Sequence, residues 1–167
     1  SFGSLSKLRS LDLFSNKLGT LPSSFGNLTN LEDLDLWANQ ISSIPDVFWN
    51  IKKIRYLKLH QNQLQEIPAS ITQMTQLVWI TLSNNQLTKL PEGLSNLSNL
   101  IDLNVKNNPN LTQLPPSFDG LTGKLTDLDM SNTWLGALAI KYNTYSSMVR
   151  SQENITADTK KITITSQ

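Results

Sequence analysis

The 167-residue chain has no cysteine and one histidine. Without thiols it has no disulfide, no zinc–thiolate site and no thiol nucleophile, and one imidazole cannot supply a histidine cluster at metal-ligand spacing. No glycine-rich phosphate loop is present either. No apolar run reaches the roughly 18–20 residues that span a bilayer as a helix, so membrane insertion is not expected. An excess of charge is also missing: 14 lysines and arginines face 13 acidic residues, a formal net charge of +1. Such a balance gives no long-range field to gather nucleic acid or an anionic lipid surface. No cofactor, metal or nucleic-acid partner is therefore expected, and affinity must come from local surface. At 38% hydrophobic residues the apolar content suffices for one folded unit. The opening, Ser1-Phe2-Gly3-Ser4, has neither an initiator methionine nor a basic region, as expected of a processed or excised piece.

What the chain does have is a repeat. Leu8, Leu31, Ile54, Leu77 and Leu100 follow one another at intervals of 23 residues, and a sixth copy begins at Leu125 after 25. The copies share the frame LxxLxLxxNxLxxLP, with an extra residue in the fifth near Pro109 and Asn110. Within each copy a period-two pair (Leu11/Leu13, Leu34/Leu36, Leu57/Leu59, Ile80/Leu82, Leu103/Val105, Leu128/Met130) predicts a short strand with its apolar side chains on one face. Strands repeated at this interval with a crossover between them should lie parallel, about 4.8 Å apart, so that equivalent side chains form columns. Asn16, Asn39, Asn62, Asn85 and Asn108 each stand three residues after the second strand apolar residue, with Thr133 in the sixth copy. An amide both donates and accepts, so this column is expected to be a structural ladder serving the backbone of its own and the adjacent turn.

These copies resemble the leucine-rich-repeat family over residues 5 to 138, in a 23-residue sub-type. The resemblance implies an α/β solenoid, a curved horseshoe segment with a parallel β-sheet on the concave side and short helical or 3-10 turns on the convex side. It also implies a non-catalytic module that binds a protein or peptide, of the kind found in receptors and signalling scaffolds. The residues agree with it. After each strand comes a proline (Pro22, Pro45, Pro68, Pro91, Pro115) and then a pair three apart, such as Phe25 with Leu28 or Phe48 with Ile51, expected to pack inward from a short convex turn.

The solenoid is assigned to residues 1–140, a partial repeat over 1–7 followed by repeats starting at 8, 31, 54, 77, 100 and 125; residues 141–167 form a C-terminal cap or a polar tail. Lys161-Ile162-Thr163-Ile164-Thr165 alternates and can serve as a final edge strand, or the segment is a loose tail. Phe2, Gly3 and Leu5 match Phe25, Gly26 and Leu28, so the chain is expected to be part of a longer chain or assembly, because a solenoid needs its last apolar face covered. Sequons at Asn27, Asn96, Asn110 and Asn154 tilt the reading toward an extracellular setting and leave the compartment open.

Function is sought where the strands point away from the core. Three columns face that way: Ser10, Asp33, Tyr56, Trp79, Asp102, Asp127; then Asp12, Asp35, Lys58, Thr81, Asn104, Asp129; then Phe14, Trp37, His60, Ser83, Lys106, Ser131. Phe14, Trp37, Tyr56, His60 and Trp79 are expected as a band of exposed rings, the residue types that anchor interfaces, although stacking between strands would also explain them. Asp33, Asp35 and Lys58 complete the candidate partner-binding set; Asp35 and Lys58 can orient a partner or pair with each other. His60, Ser83 and Asp35 occupy roughly triad-like columns, but nothing supplies an oxyanion hole, so catalysis is not expected. Docking through the solenoid ends as a structural subunit, or sugar stacking on Trp37, Tyr56 and Trp79, are the alternative readings.

Overall fold

A computed structural model of the chain describes residues 4–122, 124–134 and 161–163. Seven three-residue strands, β1 (Ser10–Asp12), β2 (Asp33–Asp35), β3 (Tyr56–Lys58), β4 (Trp79–Thr81), β5 (Asp102–Asn104), β6 (Asp127–Asp129) and β7 (Lys161–Thr163), form one sheet in chain order. All neighbours pair parallel, and β1 to β6 keep repeat register: Leu11 opposite Leu34, Leu34 opposite Leu57, Leu57 opposite Ile80, and on to Leu128. Lys161–Thr163, from the alternating segment near the end of the sequence, lies beside β6 with Asp127 opposite Lys161. Residues 135–160, which hold most of the expected cap or tail and Asn154, lie outside the described residues.

Pairing extends past the strands. The Leu13 N–H donates to Asp35 O and the Ser15 N–H to Trp37 O, both at 2.8 Å, and the same two bonds recur from Leu36 and Ala38 to Lys58 and His60. The ladder ends at a residue with positive φ in every repeat: Ser15, Ala38, Gln61, Asn84 and Asn107 at 54°, Asn132 at 55°. This left-handed residue turns the chain off the sheet and places the next residue, the ladder asparagine, inside the bend.

There each internal asparagine makes the same set of bonds. Asn62 donates through Nδ2 to Leu36 O, Leu59 O and His60 O (2.9, 3.1 and 3.3 Å) and accepts the Ile41 N–H at 3.0 Å. Asn39, Asn85 and Asn108 repeat it, each accepting an N–H from the turn before: Leu18, Leu64 and Leu87. Asn16, in the first described turn, donates to Leu13 O and Phe14 O and is exposed. Thr133 keeps the part that a hydroxyl can, donating to Met130 O at 2.7 Å.

On the other side the chain runs through 3-10 turns at Ser23–Asn27, Asp46–Asn50, Ala69–Gln73, Leu94–Asn96 and Pro116–Phe118, with one α-helical turn at Asp119–Thr122. An extended proline precedes each of the first three, and its carbonyl accepts the first turn bond, as from Phe25 to Pro22 at 3.0 Å and Phe48 to Pro45 at 2.9 Å. Phe25, Phe48, Ile71, Leu94 and Phe118 point inward with Leu28, Ile51, Met74, Leu97 and Leu121, and all are buried. With the strand leucines they form one continuous core, in which each fully buried side chain contributes roughly 1.5–3 kcal/mol. No repeat encloses its own core, so that stabilisation depends on neighbours. Accordingly Leu8, Leu11, Leu13 and Leu18 in the first turn are only partly buried, whereas Leu31, Leu34, Leu36 and Ile41 one repeat on are fully buried.

The extra residue of the fifth copy is absorbed in the turn at Pro109–Asn110, after which Lys89 pairs with Gln113, 24 residues on. Trp49 was not singled out by the pattern. It occupies the position of Gly26 one repeat later, is 1% exposed, and meets the Phe48 ring edge-on at 5.0 Å.

Candidate functional site: the concave sheet face

Because Leu34 and Leu36 point into the core, Asp33, Asp35 and Trp37 project from the other face, and register places their counterparts alongside. The rings fall in two columns. At the strand ends Phe14 stacks on Trp37 (centroids 5.5 Å, 14° between planes) and Trp37 on His60 (5.0 Å, 15°). Four residues toward the strand starts, Tyr56 and Trp79 are register partners on β3 and β4. Only Phe14 is largely exposed, at 47%; Trp37, Tyr56, His60 and Trp79 are half-buried. The expected band of exposed rings is thus corrected: rings on strands one repeat apart cover each other, leaving their edges and outer faces to solvent. Trp37 is fixed further by its Nε1–H donating to Gln61 Oε1 at 2.9 Å, a partner that carries no signal in the repeat frame.

The charged members of the candidate set divide between structural and free roles. Lys58 donates to Asp35 Oδ2 at 2.8 Å, so these two pair with each other, and Asp35 is 8% exposed. The hydrogen bond to Asp35 raises the Lys58 pKa above its ordinary value, against the effect of burial. The Lys58 ammonium also lies 6.0 Å from the Trp79 ring centroid, within cation–π range. Asp35 has a second duty, accepting the Trp37 N–H at 3.0 Å; Asp12, Asn104 and Asp129 accept the N–H two residues on in the same manner. Sequence reasoning assigned no structural role to these acceptors, although short side chains that bond their own backbone two residues on are a known turn device. Asp33, beside Tyr56 in register, remains half-buried on the face.

Burial lowers the His60 pKa, partly countered by Asp35, and its Nδ1 is buried without a hydrogen-bond partner. The triad-like columns do not assemble, because the Asp35 carboxylate is bonded to Lys58 and Ser83 Oγ lies 3.4 Å from Thr81 Oγ1. Among the described residues no group of three or more histidine, aspartate or glutamate side chains is arranged to hold a metal, and no helix is long and apolar enough to cross a membrane.

Two features of this face escaped the sequence reading. The positive-φ column carries a chain of amides, Asn132 donating to Asn107 at 2.7 Å and Asn107 to Asn84 at 2.9 Å. Asp102, between Trp79 and Asp127 in register, has its pKa pushed up to about 6, first by burial, then by the Asp127 charge, with the Trp79 indole acting in the opposite direction. The like charges in register were readable from the columns; the burial was not.

A parallel sheet built one strand per turn, a buried asparagine at four successive bends (Asn39, Asn62, Asn85 and Asn108) and 3-10 turns opposite define a solenoid repeat protein with an open sheet face. The family described as Leucine rich repeat matches residues 6–64 and 29–87, and these matched repeats belong to that family. Among solved structures it is similar to a leucine-rich-repeat protein of Leptospira interrogans (TM-score 0.80, 27% identity, 97% of this chain and 38% of that one). It is also similar to an internalin of Listeria monocytogenes (TM-score 0.65, 26% identity, 77% of this chain and 36% of that one). The chain thus spans little more than a third of either protein's length. No curated protein sequence matches it. Proteins of this fold generally mediate protein–protein interaction, and the family is generally non-catalytic.

Proposed function

We propose that this chain is a recognition module that binds a protein or peptide on its concave sheet face. Phe14, Trp37, Tyr56 and Trp79 are the apolar anchors, His60 extends the ring stack, and Asp33, Asp35 and Lys58 set the polar surroundings. The observation that carries this reading is the Phe14–Trp37–His60 stack on the side of the sheet that the core does not use. Large rings held in place before binding lose little conformational freedom on contact and bury much apolar area, which is how interface anchors act. The Asp35–Lys58 pair is fixed by the fold, so it presents a set dipole to a partner and favours one orientation of approach.

The test is a pull-down from source extract with the intact chain and with Trp37→Ala/Tyr56→Ala/Trp79→Ala, after circular dichroism has confirmed that the variant folds. A partner retained by the intact chain and lost by the folded variant supports the reading. A partner retained equally by both moves recognition off this face, and loss of fold in the variant with no change in partner for the single substitutions assigns the rings to sheet stability.

A further inference from the structure

Near-neutral overall charge conceals a separation by face. Along β1–β6 the concave positions hold six carboxylates, Asp12, Asp33, Asp35, Asp102, Asp127 and Asp129, against two cations, Lys58 and Lys106. One of those cations, Lys58, is already bonded to Asp35. The edge that leads into the strands has the opposite balance: Lys7, Arg9, Lys52, Lys53, Arg55 and Lys124 against Glu32, which pairs with Arg9 at 2.9 Å.

We infer that the segment received by the concave face is cationic, and that Asp102, Asp127 and the Trp79 ring seat one of its arginine or lysine side chains. This rests on the recognition reading above and specifies the chemistry of the partner. The face already shows this mode of recognition within itself. On the β3 side of Trp79, a carboxylate (Asp35) and the indole ring share one cation, Lys58, at 2.8 Å and 6.0 Å. On the β5 side the same ring neighbours Asp102 and then Asp127 in register. Among the described side chains no ion pair reaches either of them. Lys161 stands in register with Asp127 on the side away from Trp79, so Asp102 keeps the ring on one flank and a second carboxylate on the other. Like charges opposite each other in a sheet are destabilising, and the raised Asp102 pKa has that pair as its second cause after burial. A cation between them removes the repulsion, and a guanidinium can bond a carboxylate while stacking on an indole. The ring pair Tyr56/Trp79 and the acidic pair Asp102/Asp127 are centred two strands apart, about 10 Å at ordinary strand spacing. An extended partner therefore brings an apolar and a basic side chain about two to four residues apart in its own sequence.

The test uses the full chain and two fluorescein-labelled peptides of about twelve residues with identical apolar content, one carrying arginines and the other glutamates at the same positions, read by fluorescence anisotropy at about 0.15 M salt. The arginine peptide is expected to saturate the intact chain at one site while the glutamate peptide does not. Asp102→Asn/Asp127→Asn should weaken binding about tenfold or more, and Glu66→Gln/Glu92→Gln, which removes equal charge from the lateral face, should leave it within about twofold. Both substitutions in the first variant relieve repulsion, and an unchanged or higher urea midpoint shows that loss of binding is not loss of fold. The inference is overturned by equal binding of the two peptides, by absence of saturation up to about 1 mM, by an unaffected Asp102→Asn/Asp127→Asn variant, or by a control variant that weakens as much. Sedimentation of the chain alone covers another occupant: self-association abolished by Asp102→Asn/Asp127→Asn assigns the seat to the basic edge of a second copy and overturns the inference. A natural partner lost with the tryptophan variant but kept by Asp102→Asn/Asp127→Asn overturns the cationic seat alone; one kept by the tryptophan variant overturns the recognition reading itself.

Discussion

Replacing Asn62 with alanine tests the ladder where its consequences can be worked through atom by atom. The amide donates to Leu36 O, Leu59 O and His60 O and accepts the Ile41 N–H. The three carbonyls each keep another donor after the substitution: Leu36 O is also bonded by Asn39, Leu59 O by Asn85, and His60 O by the Ala38 N–H. Ile41, fully buried, loses the partner of its N–H. An orphaned buried donor costs about 1–3 kcal/mol, and thinning the bonds to three carbonyls adds to it, so Asn62→Ala should destabilise the chain by about 2–3 kcal/mol. Asn16→Ala is the internal control. Asn16 makes two bonds from an exposed site, and its loss should cost less than about 1 kcal/mol. Urea unfolding followed by circular dichroism reads the difference; with a slope of roughly 2 kcal/mol per molar, Asn62→Ala should lower the midpoint by about 1 M. If Asn62→Ala costs no more than Asn16→Ala, the ladder does not act through the buried N–H and the reasoning fails.

Other consequences follow from backbone and charge. Ala38 sits at φ 54°, where an L-residue without a local hydrogen bond loses about 1 kcal/mol; Ala38→Asn should raise stability by about 0.5–1 kcal/mol and Ala38→Val should lower it, both read as urea midpoints. A Cβ on Gly26 would come 2.6 Å from the Val47 carbonyl oxygen, a backbone atom, so Gly26→Ala should cost about 1–3 kcal/mol by forcing neighbouring convex turns apart. Asp102 ionises at about 6 in the folded chain against 3.8 for the free group, so the unfolded state releases its proton first and this residue's contribution falls as pH rises from about 4 through 6. Because the carboxylate is about half exposed, the effect is discounted for solvent screening to on the order of 1 kcal/mol; Asp102→Asn should be more stable than the parent at pH 7, with the gap closing by pH 4. His60 acts in the opposite direction: its lowered folded pKa makes the chain lose stability as pH falls below about 6.5, a slope that His60→Gln should remove.

The repeat, the strand register and the inward-facing residues of the 3-10 turns were legible in the sequence because each rests on periodicity, which solenoid geometry converts directly into contacts. Legibility ended where one residue type serves two conformations. Ser15, Ala38 and Gln61 give no sign of a positive φ, and only the equivalent Asn84, Asn107 and Asn132 are of a type enriched there. The columns were readable in the ring set, but its coverage was not: stacking distances between strands decide how much of Trp37 reaches solvent, and no residue pattern encodes them. The acceptor role of Asp12 and Asp129 was hidden for a related reason, since an aspartate on an open face looks free until its backbone neighbours are placed. Trp49 shows the same limit in the core. At its position successive repeats carry Gly26, Trp49, Thr72 and Ser95, and only the close approach of Gly26 to Val47 explains why a small residue is needed in the turn at Ser23–Asn27.

The central claim is that partners are met on the sheet face, and site-directed photo-crosslinking tests it most directly. A benzophenone side chain is placed at Lys106, on that face, and separately at Gln73, on the opposite convex side, and both proteins are irradiated in source extract. The account predicts a discrete adduct from position 106 that is suppressed by Trp37→Ala/Tyr56→Ala/Trp79→Ala, and none from position 73. An adduct from position 73 with none from 106 would contradict it.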